Sequence, residues 1–145
     1  MSDMRIEVTD NPNAGERDFI VAQVRAHNSV FVERDVRGLC VFARDTDGNI
    51  LGGLSAETYW GYLHISHLWV HERHRHKGIA GCLMRAAEAE ARIRGCRHAL
   101  VDTFSFQAPG FYLHMGFEEF GRLPGFAGAH VRHFMRKSLA DEGPE

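Results

Sequence analysis

Between residues 39 and 70 apolar and polar positions alternate in three runs, at residues 39–44, 50–59 and 62–70. A period of two is the signature of half-buried strands. Asp45-Thr46-Asp47-Gly48-Asn49 separates the first two, and its Asp-Gly step can take the positive dihedrals of a hairpin turn. Trp60-Gly61 separates the second from the third. The pattern predicts an antiparallel meander of three strands. Residues 5–9 also alternate and suit a first strand, broken by Asp10-Asn11-Pro12-Asn13. From residue 14 to about 27, Phe19, Ile20 and Val24 recur at helical spacing and predict a helix with one buried stripe. Residues 28–37 mix Val30, Phe31 and Val32 with Glu33, Arg34 and Asp35, and read as a short helix or a loop.

The period changes after residue 77. Ile79, Leu83, Ala87 and Ala91 step by four, which predicts a helix over residues 78–94 lying on the sheet. Its outer face is expected to carry two i, i+4 pairs, Glu88 with Arg92 and Glu90 with Arg94, and Gly95 suits a C-cap. Residues 98–103 read as a strand, giving a β-α-β unit whose strands must be parallel and whose crossover should be right-handed. Pro109 starts a short helix carrying Tyr112, Gly116 ends it, and residues 118–122 and 130–139 form a last hairpin. The acidic tail, residues 140–145, is expected to fray. With no repeat visible, the fold class is α/β: a single domain over residues 1–139 with a mixed, mostly antiparallel sheet, one parallel β-α-β crossover and helices on both faces.

Composition narrows the functions. A chain of 145 residues can bury roughly 68–70% of its unfolded surface as one domain. A net charge of -2 gives no global field for nucleic acid, so any phosphate recognition is local. Residues 71–77 supply it, with Arg73, Arg75 and Lys77 against Glu72 alone. Three cysteines without a C-x-x-C pair point to a reducing compartment, with Cys82 and Cys96 as small apolar residues. The N-terminus lacks a signal-peptide core, and no apolar run approaches the ~20 residues of a membrane span, so a cytoplasmic protein with no membrane partner is expected. His71, His74 and His76 lie among cations without a completing carboxylate or thiol set, so no metal is expected. Phe104, Phe106, Phe111, Phe117, Phe120, Phe126 and Phe134 read as core and pocket wall. A G-x-x-x-x-G-K-[ST] phosphate loop is missing.

Strand, charged turn and helix meet at Leu68-Trp69-Val70, Arg75-His76-Lys77-Gly78-Ile79-Ala80 and Gly81. A helix N-terminus presents N–H groups without intrahelical acceptors and a partial positive charge, and so binds phosphate. Gly78 allows close backbone approach, Ala80 and Gly81 keep bulk away, and Arg75 and Lys77 add charge. The bland alternative is a surface turn before an ordinary helix. The run R-x-x-G-x-A at residues 75–80 resembles the pyrophosphate-binding motif Q/R-x-x-G-x-G/A of the GNAT acetyltransferases, whose ligand is acetyl-coenzyme A. Gly110-Phe111-Tyr112-Leu113-His114-Met115-Gly116-Phe117 resembles a second GNAT segment, G/A-x-x-F-Y-x-x-x-G-F. The likeness runs from about residue 50 to 139. Ala80 stands where Gly is common, and the turn at residues 71–74 lacks the Pro often found there.

The resemblance implies an N-acetyltransferase with a GNAT-like fold and acetyl-coenzyme A as donor. By the same resemblance the pantetheine lies in a gap between residues 68–70 and 100–103, paired with free backbone groups of Trp69 and Val70. The N–H groups from His76 to Gly81 grip the pyrophosphate, Thr103, Ser105 and Gln107 offer polar contacts, and the Val70 N–H serves the oxyanion. Tyr112 takes the place of a general acid, although a packed aromatic or a hydrogen bond to sulfur would also explain it. For the base, an amine with pKa about 10.4 costs roughly 4.6 kcal/mol to deprotonate at pH 7. Strict alternation puts His64 and Ser66 on one face of their strand, His67 and Trp69 on the other. His67, nearer the acetyl end, is the better base, with Glu57 and Glu33 weaker, and a histidine that merely satisfies a neighbour is an equal reading. The expected acceptor is a small-molecule amine attacking directly in a ternary complex, in a pocket closed by residues 28–37 and 124–129. A peptide acceptor and a non-catalytic acyl-coenzyme A sensor are the alternatives. The last hairpin often pairs subunits in this family, which allows a homodimer.

Overall fold

The computed structural model describes residues 4–140, which fall into two compact units divided after Arg34. The first holds α1 (Glu16–Asn28). Glu16 and Asp18 stand in its first turn and Arg25 and His27 in its last, complementing the helix dipole. The Asn13 N–H donates to the Glu16 carboxylate at 2.9 Å and so fixes the entry. Ser29 closes the helix, its N–H on the Arg25 carbonyl and its hydroxyl on that of Ala26. A turn at Val30 and Phe31 then leads into a loop, so the segment left open as helix or loop is non-helical. The strand expected at residues 5–9 does not form, since alternation makes a strand only where a neighbour completes the hydrogen-bond ladder. Nothing within this unit covers Phe19, Ile20 and Val24, so the predicted buried stripe is exposed there.

The second unit is a six-stranded sheet in the order β1-β2-β3-β4-β6-β5. Its strands are β1 (Arg37–Arg44), β2 (Ile50–Tyr59), β3 (Tyr62–Val70), β4 (His98–Phe104), β5 (Glu118–Phe126) and β6 (His130–Ser138). Helices α2 (Ile79–Ile93) and α3 (Pro109–His114) flank β4 in sequence. The first hairpin turns through Gly48 at φ 86°, with the Asp45 carboxylate accepting the N–H groups of Asp47 and Asn49. The second turns on Trp60 and Gly61, both at positive φ, as a two-residue turn between right-twisted strands requires. Among the described residues only β3 and β4 pair in parallel, and α2 makes the crossover between them.

One sheet face forms the core. Leu54 and Ala56, Leu63 and Ile65, Ala99 and Val101, and Met135 cluster with Leu83, Met84, Ala87 and Ala91 of α2. Tyr112, Phe117, Cys96 and Leu139 complete the cluster. The i, i+4 stripe thus finds the sheet as predicted, and Arg94 binds Glu90 at 2.9 Å. Glu88 departs from expectation: it is 3% exposed, and Lys137 of β6 holds it, with Arg92 at 3.9 Å. Its position beside the apolar stripe turns it inward, where a charge must be paired. β5 also runs past the predicted end, through Pro124 to Phe126, so the loop expected at residues 124–129 shrinks to a turn after the strand. Pro is tolerated because β5 is an edge strand with an irregular register there.

Candidate active site

The ladder between β3 and β4 runs only from Tyr62 opposite His98 to Ile65 opposite Val101. Beyond it β3 continues to Val70 and β4 to Phe104 without pairing, so the sheet opens at Ser66 and Asp102. Leu100 and Val101, placed beside the gap by the sequence, are still within the ladder. The divergence coincides with a bulge: Ser55 pairs with His67 and Ala56 with Ile65, which leaves Ser66 extra. An extra residue inverts the alternation beyond it. Leu68 and Val70 therefore join Leu63 and Ile65 against the core. His67 and Trp69 fall on the same open face as His64, and the predicted division of these residues between two faces is overturned.

The register also decides which backbone groups face the gap. The His71 N–H donates to the Leu51 carbonyl at 2.8 Å, so this pair and, two residues on, Gly53 with Trp69 bond to each other. Antiparallel pairs alternate between bonded and non-bonded. Leu68 and Val70, opposite Leu54 and Gly52, thus turn their N–H and C=O away from β2 and into the gap. Trp69, expected to offer its backbone there, turns it toward Gly53.

At the end of β3 the chain makes a 3₁₀ turn (Glu72–His74) whose first N–H groups are met by His71, with Nδ1 accepting from Arg73 at 3.0 Å. His76 and Gly78 have φ of 65° and 80°, in the left-handed region. The first helical bond of α2 runs from the Cys82 N–H to the Gly78 carbonyl. The N–H groups of Ile79, Ala80 and Gly81 therefore have no intrahelical acceptor. Lys77 is exposed, whereas Arg75 donates from Nε to the Val70 carbonyl at 3.0 Å and braces the strand end. Cys82 is exposed beside Arg85, not a packed apolar residue; Cys96 is buried, and burial pushes its thiol pKa up.

Pro109 occupies the first turn of α3, where its missing N–H costs nothing. Tyr112 is 7% exposed, wedged edge-on between Phe111 and Phe117 at ring distances of 5.2 and 5.8 Å. Burial, with the negative charge of Asp102, pushes its pKa up to about 12. Thr103 is buried at the end of β4, its hydroxyl on the Gln107 side-chain carbonyl, which also accepts the Phe104 N–H at 2.8 Å. Ser105 is tied to β6 through backbone and hydroxyl bonds to Val131. On the open face His67 is exposed opposite Ser55, and Glu57 stands opposite His64, whose ring meets the Tyr59 hydroxyl at 3.2 Å. Glu33 lies in the first unit.

Sequence reading missed two groups. Asp102 binds Arg132 at 2.6 Å, and the Arg132 guanidinium lies over the rings of Phe104, Phe126 and Phe134 at 5.2–5.9 Å. Of the phenylalanines read as core and pocket wall, Phe117 lies in the buried core and Phe111 packs against it, while Phe106 and Phe120 are exposed. The common phase of Asp102 and Phe104 on β4, and of Arg132 and Phe134 on β6, was the available signal. The other group joins Lys137, Glu88 and the Met115 carbonyl. Among the described residues, no three His, Cys, Asp or Glu side chains converge as a metal site.

Residues 6–117 match the model of the Acetyltransferase (GNAT) family. A blasticidin-S acetyltransferase of Streptomyces morookaense is 33% identical over 76% of this chain and 82% of its own length. Acetyltransferase Atu2258 of Agrobacterium fabrum is 40% identical over 74% of this chain and 76% of its own. A crystal structure of an acetyltransferase from Bacillus cereus superposes with a TM-score of 0.83 at 32% identity, over 91% of this chain and 97% of that one.

Proposed function

This chain belongs to the GNAT family of acetyltransferases, and from that premise we propose that it transfers an acetyl group from acetyl-coenzyme A to a primary amine of a small molecule, by direct attack in a ternary complex. One observation carries the reading: the opened β3–β4 edge leads directly into the left-handed turn at the head of α2, with Tyr112 on the helix that follows β4. The residues fit the donor. Leu68 turns its backbone N–H and C=O into the gap, as an amide-bearing pantetheine arm needs, Val70 turns its N–H there while Arg75 holds its carbonyl, and the N–H groups of Ile79, Ala80 and Gly81 suit a pyrophosphate. A thioester supplies an activated acyl group and a thiolate leaving group.

The chain's own residues then have separable tasks. His67, exposed on the open face, takes the proton lost by the amine as its nitrogen bonds the acyl carbon, directly or through water. The Val70 N–H, on the gap side of β3, stabilises negative charge on the acyl oxygen. Tyr112 gives its proton to the sulfur as the C–S bond breaks. A phenol raised to about 12 keeps its proton at neutral pH; transfer to a thiolate with an ordinary pKa of about 8.5 runs uphill by roughly 5 kcal/mol, so the proton is held until the C–S bond breaks and solvent returns one to the phenolate. The blasticidin-S acetyltransferase among the relatives supports a small-molecule acceptor.

The test is thiol release from acetyl-coenzyme A across a panel of amino acids, polyamines, amino sugars, antibiotics and peptides, with calorimetry of coenzyme A binding alongside. Turnover on a small amine is expected; turnover on peptides alone, or binding without turnover on any amine, would overturn the acceptor assignment. Tyr112→Phe should lower kcat by about 10²–10⁴ and leave coenzyme A affinity nearly intact. An unchanged kcat would remove Tyr112 from the acid role.

A further inference from the structure

Helix α3 has only six residues. Helices far shorter than about 12–15 residues do not hold their shape without tertiary support, so the placement of Tyr112 depends on what grips both ends of α3. Its C-terminal end meets a single ammonium group. Lys137 Nζ donates to the Met115 carbonyl at 2.7 Å and to both carboxylate oxygens of Glu88 at 3.0 and 3.1 Å. An ammonium has three protons, and these three acceptors match them. Met115 caps α3, so its carbonyl is among those that a helix end leaves without an intrahelical partner and that carry the negative end of the dipole. The Lys137 stem also fits against Gly116, where an added Cβ would lie 3.4 Å from Cε, and Nζ sits 5.8 Å from the centre of the Phe117 ring. Phe117 in turn packs on Tyr112 and donates its N–H to the Tyr112 carbonyl at 3.0 Å. Glu88 lies on α2, the helix whose head forms the left-handed turn.

We propose that Lys137, held by Glu88, is a positioning residue that fixes the end of α3 to α2 and β6 and so sets the reach of the Tyr112 hydroxyl into the site. The inference rests on the acid role proposed for Tyr112. Its chemistry follows from geometry: a misplacement of about 1 Å in a reacting group can cost on the order of 10²-fold in rate. Removing Lys137 alone strands a buried carboxylate, so the informative variant is the pair Glu88→Leu with Lys137→Met. This keeps volume, removes both charges and deletes the bond to Met115, and such apolar replacements of buried ion pairs usually fold.

The experiment is a double-mutant cycle between that pair and Tyr112→Phe, reading kcat at saturating donor and, separately, tyrosine ionisation by ultraviolet absorbance against each Tyr112→Phe counterpart. With Tyr112 present, losing the clamp should lower kcat about tenfold or more, leave coenzyme A affinity within about threefold, and move the Tyr112 titration down from about 12 toward the ordinary value near 10. With Phe at 112 it should lower kcat no further. Equal losses in both backgrounds, or an unmoved Tyr112 titration in a folded protein, would overturn the positioning role while leaving the acid role standing. If Tyr112→Phe alone leaves kcat unchanged, the acid role falls and the inference falls with it.

Discussion

Tyr112 shows how one side chain can be tuned by its surroundings without a designed partner. Among the described residues no buried polar side-chain atom lacks a hydrogen-bond partner, yet the phenol is mostly enclosed by Phe111, Phe117 and the core. Burial penalises the phenolate, and Asp102 adds to the penalty. The folded pKa of about 12 exceeds the unfolded value near 10, so the native state keeps a proton that the unfolded state loses between those pH values. Stability is therefore fully present below pH 10 and declines as pH rises through 12, by about 2–3 kcal/mol from this residue. Denaturant titrations of the parent and Tyr112→Phe at pH 9 and 12 should show the parent losing that much more. At this scale the sequence was informative about identity and less so about environment. Tyr112 stood out by its motif, but nothing in the chain said that Glu88 points inward, because a carboxylate on the flank of an apolar stripe is normally solvated. Its pairing depends on Lys137, 49 residues away.

Elements were legible where local chemistry sets them. The three meander strands, α2 and the short α3 follow from periodicity, turn residues and Pro109, and each falls close to its expected bounds. The bulge at Ser66 escaped because alternation carries no mark of an extra residue until one sees which side chains are buried. The strand at residues 5–9 was read from alternation that has no partner in its unit. At the turn itself, Gly78 can be tested alone. An added Cβ would meet nothing within 4 Å, so any effect of Gly78→Ala comes from its φ of 80°. Forcing a non-glycine residue into that region costs roughly 1–2 kcal/mol. Calorimetry should show coenzyme A affinity weakened by about five- to thirty-fold, with kcat at saturating donor nearly unchanged; equal loss in both would mean that the turn does more than bind.

Across the whole second unit, stability and site geometry share supports. Lys137 joins β6 to α2 and α3 in one place, and Arg94 reaches from the end of α2 to the Gly38 carbonyl and the Thr58 hydroxyl. Lys137→Met alone leaves Glu88 buried with only Arg92 near it and should cost about 3–5 kcal/mol, seen as a large drop in thermal midpoint. The added change Glu88→Leu should restore most of it. The parallel pair was expected from the β-α-β unit, but the order that sets β6 beside β4 was not, and the Arg132 group could be found only once those two strands were known to be neighbours. The bulge has a genetic consequence as well. β3 is read in two frames, one on each side of Ser66, so deleting that single codon would merge them into one regular alternation. Leu68 and Val70 would stay against the core and His67 and Trp69 on the open face, with the bulge gone and the ladder to β2 regular. A deletion of Ser66 is expected to leave soluble expression intact and, by removing the bulge at which the β3–β4 edge opens, to weaken coenzyme A binding in calorimetry, while Ser66→Ala, which keeps the count, should bind as the parent does.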